Sequence, residues 1–162
     1  RRVRATFPVG ARIEGVAVTP DATELWVGGN DSQMVFVLDA QTGAVRHRIA
    51  GFGMPYRIGI TPDGRTAVVS DPGAEKIHLV DVATHAVRAV IPVPAMTSGA
   101  AADVVASPQG VTMAPDSRTA FVTLKGAGRV AVVDLTSATI TTTLVVGGGS
   151  DGVGYSPRVL VR

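Results

Sequence analysis

The sequence predicts an all-β protein built from a repeated four-stranded unit, and three features of its 162 residues support that fold class. One segment recurs along the chain, glycine and proline are spread through it, and short apolar runs alternate with polar turns. Hydrophobic residues make up 46% of the chain and charged residues 17%, so we expect a sizeable core and no general disorder.

A segment ending in a turn proline appears four times. The four copies are IEGVAVTPD (13–21), YRIGITPDG (56–64), QGVTMAPDS (109–117) and DGVGYSPR (151–158). Their prolines, at positions 20, 62, 115 and 157, are 42, 53 and 42 residues apart. The aspartate shared by VLDAQTG, LVDVATH and VVDLTSA gives the same spacings of 42 and 53. Two independent anchors therefore define one repeat, with an insertion before its third copy.

Each repeat is predicted to contain four strands, named a to d. In the first repeat they cover residues 15–19, 24–28, 34–39 and 44–51. A Pro-Asp turn joins strands a and b, and an Asp-x-x-Thr/Ser turn joins c and d, because these residues hydrogen-bond nearby backbone. Strand c is almost entirely apolar, which is typical of a strand covered on both faces.

One such sheet cannot bury both of its faces alone, whereas sheets stacked radially as the blades of a β-propeller can. The predicted units are strand d of a preceding blade at 2–10, blade one at 13–51, blade two at 56–94, an insertion loop at 94–108, blade three at 109–147 and the start of a further blade at 151–162. The chain, 1–162, is thus expected to be a single partial propeller with three complete blades. The alternative is a small ring in which the N-terminal strand closes onto the C-terminal strands.

The turn and strand b have a recognisable pattern. It is carried by TPDGRTAVVSD (61–71), APDSRTAFVTL (114–124), VLDAQTG (37–43), IPVP (91–94) and FPVG (7–10). This pattern resembles the YVTN-type β-propeller repeat, roughly TPDGxxAYVTN followed by V-x-V-I-D-x-x-T-G. It departs from the signature at Val68, Ser70 and Asp71, where Tyr, Thr and Asn are usual.

The resemblance implies a ring that commonly has seven blades and an extracytoplasmic location, periplasmic or at the cell surface. Its relatives include binding proteins, surface-layer components and proteins resembling lactonases or the propeller parts of redox enzymes. Fold alone does not choose among them. The function we expect is non-enzymatic binding of a ligand or partner at the mouth of the channel. The alternatives are the propeller part of a hydrolase or redox enzyme, and a surface-layer or adhesive repeat.

Candidate ligand-binding residues are those that differ between repeats at the mouth of the channel. They are Glu14, Tyr56, Gln109 and Asp151, each six residues before an anchor proline, together with Arg57 and with Asp103 in the insertion. Arg57 stands out because the other repeats have glycine at its position. It is interpreted either as a residue that holds an anion or stacks on a planar ligand, or as one paired with Glu14 or Asp151 or solvated. The insertion is interpreted as functional or as a tolerated surface loop.

Other chemistries find little support in the sequence. The absence of cysteine excludes disulfides and thiolate metal sites. The three histidines fall at unrelated repeat positions, so no metal set or cofactor is predicted, and no GxSxG motif is present. A formal net charge of +2 without a dense Lys/Arg block gives no strong nucleic-acid signal, and no apolar run is long enough to cross a membrane.

The partner is therefore unidentified, but self-association is expected through blade faces left open at the ends of the row. The valines predicted on those faces are Val16 and Val18 in blade one and Val130, Val132 and Val133 in blade three.

Overall fold

The computed structural model describes residues 2–98 and 101–156, and every regular element in those ranges is a β-strand. Blade one contains β1 (Ile13–Val18), β2 (Glu24–Gly29), β3 (Met34–Asp39) and β4 (Val45–Ile49). Blade two contains β5 (Arg57–Ile60), β6 (Thr66–Asp71), β7 (Lys76–Asp81) and β8 (Val87–Pro92). A hairpin of β9 (Met96–Ser98) and β10 (Ala101–Val104) precedes blade three, which contains β11 (Pro108–Met113), β12 (Thr119–Leu124), β13 (Arg129–Asp134) and β14 (Thr139–Val145).

Each blade is a four-stranded antiparallel sheet whose strands pair in chain order. The predicted all-β fold class and four-stranded blades are confirmed. No helix in the described ranges is long and apolar enough to span a membrane.

The turns between strands repeat in detail. In the c–d turns, the aspartate that ends strand c accepts the backbone N–H three residues later, at 2.7 Å for Asp39 and Thr42 and at 2.8 Å for Asp81 and Thr84. Bonds from the backbone and hydroxyl of these threonines hold the pKa of each aspartate below its usual value. The predicted Asp-x-x-Thr turn is therefore a fixed local structure.

Each blade also has three backbone positions in the left-handed region, one in each tight turn. They are Ala22, Gly64 and Ser117 after strand a, Gln33, Glu75 and Gly128 after strand b, and Gly43, His85 and Ala138 after strand c. Most of these residues are not glycine, although L residues rarely adopt positive φ. The turn geometry, and not glycine content, is thus what the repeat preserves.

Blade two is covered on both faces because alternate residues of its strands point in opposite directions. Its first face shares a cluster with blade one, formed by Trp26, Val35, Val37, Ile58, Ala67, Val69 and Val80. Its second face shares a cluster with blade three, which includes Val68, Ile77, Leu79, Ala120, Val122, Ala131 and Val133. These buried clusters hold the three sheets in a row.

The first strands of adjacent blades approach one another closely. A Cβ added to Gly15 on β1 would lie 3.2 Å from Cγ1 of Ile58 on β5. One added to Gly59 on β5 would lie 2.6 Å from Cε of Met113 on β11. A small residue on one strand therefore receives a larger apolar residue from the next.

A hydroxyl on strand b also links neighbouring blades. Ser70 Oγ accepts the N–H of Arg57 in its own blade at 3.0 Å and donates to the carbonyl of Gln109 in blade three at 2.5 Å. Thr123 makes the same pair of bonds one blade later, to the N–H of Gly110 and the carbonyl of Asp151. Blade one has Gly28 at this position, where an added Cβ would overlap the carbonyl oxygen of Pro55.

Three predicted boundaries differ from the structure. Residues 2–10 form no strand, because no neighbouring strand pairs with them. Phe7 and Val9 instead pack against the cluster of Phe36 and Leu38 on blade one. Residues 94–108 are not a simple loop, since β9 and β10 pair within them. Residues 151–156 contain no strand, and 157–162, including the fourth anchor proline, lie outside the described residues.

Of the valines predicted on the open faces, Val16 and Val18 are exposed, whereas Val133 belongs to the cluster shared with blade two. Val132 is half-buried and Val130 is buried, and neither belongs to that shared cluster. Because β13 alternates, its odd-numbered residues point to blade two. The sequence pattern shows that the side chains of the strand alternate, but not which set of them faces blade two.

The position of Gly28 gives a test of the packing between blades one and two. Replacing it with serine, the residue of the next repeat, should lower the free energy of unfolding by about 1–3 kcal/mol, because the side chain would overlap backbone. Denaturant unfolding of Gly28→Ser measures this change.

The matched control is Gly148→Ser, where an added Cβ meets no atom of the described residues within 4 Å. It should change stability by no more than about 0.5 kcal/mol. If Gly28→Ser is as stable as the original chain, the close approach of β2 to Pro55 is wrong.

Candidate functional site

Five of the six predicted ligand-binding residues lie together at one end of the blades, where the first strands begin. Glu14 is on β1, Tyr56 and Arg57 are at the start of β5, Gln109 is on β11 and Asp151 follows blade three. These five residues are called the mouth. The sixth, Asp103, is on β10, and its side chain lies outside the described part of the structure.

Arg57 joins blades one and two at the mouth. Its Nη1 donates to Oε2 of Glu14 at 3.0 Å and to the backbone carbonyl of Glu14 at 2.8 Å. Its guanidinium carbon also lies 4.5 Å from the centroid of the Tyr56 ring. The pairing with Glu14 that the sequence allowed therefore forms, and the guanidinium also lies against the ring of Tyr56.

Asp151 is the second centre of contacts. Its Oδ2 lies 3.5 Å from the hydroxyl of Tyr56 and 3.5 Å from Nζ of Lys125. With the amide of Gln109 oriented by its hydrogen bonds, its nitrogen donates to both carboxylate oxygens of Asp151, at 3.1 and 3.3 Å. Tyr56 thus reaches from blade two to the segment beyond blade three.

The mouth is a row of alternating charges that remain in contact with water. The structure adds Lys125 to the mouth, because it lies beside Asp151. The side chains of the four charged residues, Glu14, Arg57, Asp151 and Lys125, are 41%, 37%, 39% and 42% exposed. Partly exposed pairs of this kind contribute little to stability, about 0–1 kcal/mol each. Their hydrogen-bonding groups are therefore available to a partner at small cost to the fold.

A buried carboxylate fixes the loop that leads to Tyr56 and Arg57. Asp71 accepts the backbone N–H of Gly53 at 2.8 Å and that of Met54 at 2.7 Å. Its Oδ2 also lies 3.1 Å from Nε2 of His78. Burial raises the pKa of Asp71, but the bonds from His78 and from the two N–H groups outweigh this and leave the pKa below its usual value.

The insertion reaches the same end of the blades as the mouth. The backbone N–H of Ser107 donates to Oε2 of Glu75, in the b–c loop of blade two, at 2.9 Å. The carbonyl of Ser107 accepts from the N–H of Lys125, in the b–c loop of blade three, at 3.1 Å. The second half of the insertion therefore fixes the backbone that carries Lys125.

The structure brings two of the three histidines together. His47 and His85 stack with ring centroids 4.0 Å apart, and Nε2 of His85 lies 3.0 Å from Oε1 of Glu24. They meet because strand d of blade one lies against the c–d turn of blade two. No cluster of three or more His, Cys, Asp or Glu side chains suited to a metal occurs within 2–98 and 101–156.

Sequence reasoning missed two contributors to this end of the blades, Lys125 and the Asp71–His78 pair. Both carried a signal of the kind that identified Arg57. At the repeat position of Lys125 the other two blades have Asn30 and Pro72. At the repeat position of Asp71 they have Gly29 and Leu124. Differences at matched repeat positions therefore mark residues of the mouth and buried structural residues alike.

Comparison with known proteins supports the fold and leaves the family open. No protein-family model matches the chain, and no curated protein matches it. Among solved structures, hydrazine synthase from Kuenenia stuttgartiensis is similar at TM-score 0.77 and 23% identity, over 97% of this chain and 43% of that chain. U3-55K is similar at TM-score 0.65 and 16% identity, over 82% of this chain and 38% of that one.

The WD40 repeats of RRP9 give a third similarity, with TM-score 0.65, 16% identity, 86% of this chain covered and 39% of that one. The chain thus spans about two fifths of the length of these structures. At identities this low the similarity shows the fold alone. The chain has the fold of a β-propeller.

The pKa of Asp71 gives a pH test of the buried pair. A carboxyl whose folded pKa is depressed stabilises the fold above its unfolded pKa of about 3.9, and the stabilisation is lost as the pH falls through the folded value. Asp71→Asn should therefore lower the free energy of unfolding at neutral pH by about 3 kcal/mol, as for removal of one partner of a buried pair. Denaturant unfolding at a series of pH values should show the difference shrinking below pH ~4.

The control is Asp31→Asn, in the equivalent loop of blade one. Asp31 is exposed and lies 3.3 Å from Arg12, so its loss should cost less than about 0.5 kcal/mol at any pH. A constant difference between Asp71→Asn and the original chain across the acid range would contradict the assignment.

Proposed function

We propose that this chain is part of a non-enzymatic binding propeller and that its mouth is the surface that holds the partner. The convergence of Glu14, Arg57, Tyr56 and Asp151 from successive repeats into one contacting row supports this function. The similarity to the WD40 repeats of RRP9 supports the propeller fold that carries this row. Glu14 and Arg57 lie on first strands that are held by buried packing, and such rigid support is what a binding site needs.

The proposed partner is a polypeptide segment with charges of both signs. The row carries two carboxylates and two cationic groups that alternate in sign, so a segment of one charge alone would meet repulsion at every second position. The ring of Tyr56 adds an apolar surface between the charges. A small uniform anion is a poorer match, because the Nη1 of Arg57 already pairs with Glu14.

A displayed peptide library, selected against the 162-residue chain, tests this proposal. We expect enriched peptides of mixed charge, whose binding weakens at least tenfold, about 1.4 kcal/mol, in Arg57→Ala and in Asp151→Ala. Isothermal titration with the enriched peptides measures the loss. Both variants should stay folded, because the residues they remove are partly exposed.

The matched control is Arg65→Ala, which removes an exposed arginine from the a–b turn at the opposite end of blade two. It should leave the affinity unchanged. Peptides that bind the original chain and the mouth variants equally well would show that the partner sits elsewhere.

A second candidate function is the propeller part of a redox enzyme. The similarity to hydrazine synthase over 97% of this chain favours it. A full-length protein purified with an absorbing prosthetic group, or with redox activity lost on deletion of these blades, would support this candidate over a binding propeller.

We also propose that the chain belongs to the YVTN-type repeat proteins and acts outside the cytoplasm. Support comes from TPDGRTAVVSD, VLDAQTG and IPVP in the sequence and from the four-stranded blades that these segments form. Fractionation of the source cells tests the location. Recovery in the cytoplasmic fraction alone would contradict it.

A further inference from the structure

The insertion rejoins the repeat at Ser107, whose backbone takes a form that recurs along the chain. Ser107 lies two residues before Gln109 of the mouth, and the matching residue of blade one is Arg12. Both have a left-handed backbone, with φ of 52° and 50°. The carbonyl of each accepts the N–H of the matching b–c loop residue, Lys125 or Asn30, at 3.1 Å. Ser107 therefore stands at a fixed place beside the mouth.

The backbone around Ser107 is held from both neighbouring blades. Its N–H donates to Oε2 of Glu75 in blade two at 2.9 Å, and its carbonyl accepts from Lys125 in blade three. The carbonyl of Ala106 also accepts the N–H of Gly126 in blade three, at 3.0 Å. None of these bonds uses the hydroxyl of Ser107. The hydroxyl is thus carried on a backbone that is fixed without it.

The hydroxyl of Ser107 points at the side chain of Gln109. It donates to the amide oxygen of Gln109 at 3.2 Å, and the amide nitrogen donates to both carboxylate oxygens of Asp151, at 3.1 and 3.3 Å. An amide has one accepting end and one donating end, so a hydroxyl donor on one side and a carboxylate on the other favour a single orientation. The three side chains form a directed chain of hydrogen bonds from the insertion to the mouth.

The carboxylate of Asp151 ends this chain of hydrogen bonds. Its Oδ2 also lies 3.5 Å from the hydroxyl of Tyr56 and 3.5 Å from Nζ of Lys125. Both distances are longer than those to the amide of Gln109, so the amide is the contact that most firmly orients the carboxylate. Because the side chain of Asp151 is 39% exposed, the orientation of its carboxylate is what a partner meets.

The serine and the glutamine occur together in one copy of the repeat. At the position of Ser107 the other copies have Arg12, Met54 and Gly149, none of which has a hydroxyl. Gln109 is likewise the one amide among the four matched positions of the mouth. The copy that has both residues is also the copy that follows the insertion.

We propose that Ser107 is a positioning residue of the mouth, through which the insertion sets the direction in which Asp151 meets its partner. This inference rests on the proposed function, since the partner is the same polypeptide segment. Ser107 does not touch the segment and acts through Gln109. The contact that depends on it is a cationic group of the segment placed on Asp151.

Ser107→Gly removes the hydroxyl and keeps the backbone bonds to both blades. Glycine adopts a left-handed backbone readily, and Gly149 has one at the matching position, with φ of 76°. The matched control is Ser117→Gly. Ser117 also has a left-handed backbone, and its hydroxyl accepts the N–H of Asp63 at 3.1 Å at the opposite end of the blades. Thermal unfolding followed by circular dichroism checks that both variants remain folded.

Nuclear magnetic resonance of the side-chain amides tests the hydrogen bond without any partner. The chain has one asparagine and three glutamines, so its spectrum holds four pairs of side-chain amide signals. In Ser107→Gly the Gln109 pair should move toward the position of an exposed glutamine such as Gln41, and in Ser117→Gly it should stay in place. Gln109→Ala assigns the pair. A Gln109 pair that does not move in Ser107→Gly would overturn the proposal.

Isothermal titration with the enriched mixed-charge peptides tests the effect on binding. Ser107→Gly should weaken binding about three- to tenfold, as for the loss of one neutral hydrogen bond, and Ser117→Gly should leave it unchanged. Ser107→Gly added to Gln109→Ala should cause no further loss, because the hydroxyl acts through the amide. A further loss in that double variant would contradict the positioning role.

Failure of the proposed function and failure of the positioning role give different results. If Arg57→Ala and Asp151→Ala bind the peptides as tightly as the original chain, the proposed function fails and the role of Ser107 fails with it. If those two variants lose binding and Ser107→Gly does not, the positioning role alone is wrong.

Discussion

Each blade is a thin sheet with two apolar faces, and the sheet cannot bury either face by itself. Blade two shows the constraint most clearly, because Val68 and Val69 are adjacent on β6, point in opposite directions and are both fully buried. Burying such a side chain is worth about 1.5–3 kcal/mol, which no single four-stranded sheet obtains on both sides. Stability therefore depends on stacking, as in other repeat folds.

The same stacking assembles the mouth. Once the sheets are stacked, the starts of their first strands are neighbours, and residues far apart in sequence meet. Glu14 and Arg57 are 43 residues apart, and Tyr56 and Asp151 are 95 apart. Close approach of the first strands needs small residues such as Gly15, and the hydroxyls of Ser70 and Thr123 then link one blade to the next. The packing between blades and the geometry of the mouth thus depend on the same strands.

The sequence predicted most of the fold because its repeat is internal. All three c strands, 34–39, 76–81 and 129–134, begin and end where the apolar pattern placed them. The less regular parts depend on contacts that a repeat does not encode. Residues 2–10 have no partner strand and pack by side chains alone, and the insertion forms its own hairpin.

The mouth was predictable in part for the same reason. Alignment of the repeats placed Glu14, Tyr56, Arg57, Gln109 and Asp151 at one end of the blades. It compared only residues at the same position of each repeat, so it could not find contacts between different positions. Lys125 lies on a b–c loop and reaches Asp151 from a different repeat position, and His47 meets His85 in the same manner. The chain departs from the YVTN signature at Ser70 and Asp71. Ser70 bonds the start of a first strand in the next blade, and Asp71 bonds the loop that leads to β5.

Native-state hydrogen exchange tests the dependence on stacking most directly. If burial of both faces stabilises each sheet, the amides of β6 and β7 should exchange most slowly, through the largest unfolding of the molecule. The amides of β2 and β13 belong to blades that have another described blade on one face only, and they should exchange through smaller openings. Equal protection of all three blades, or faster exchange in blade two than in its neighbours, would contradict the account.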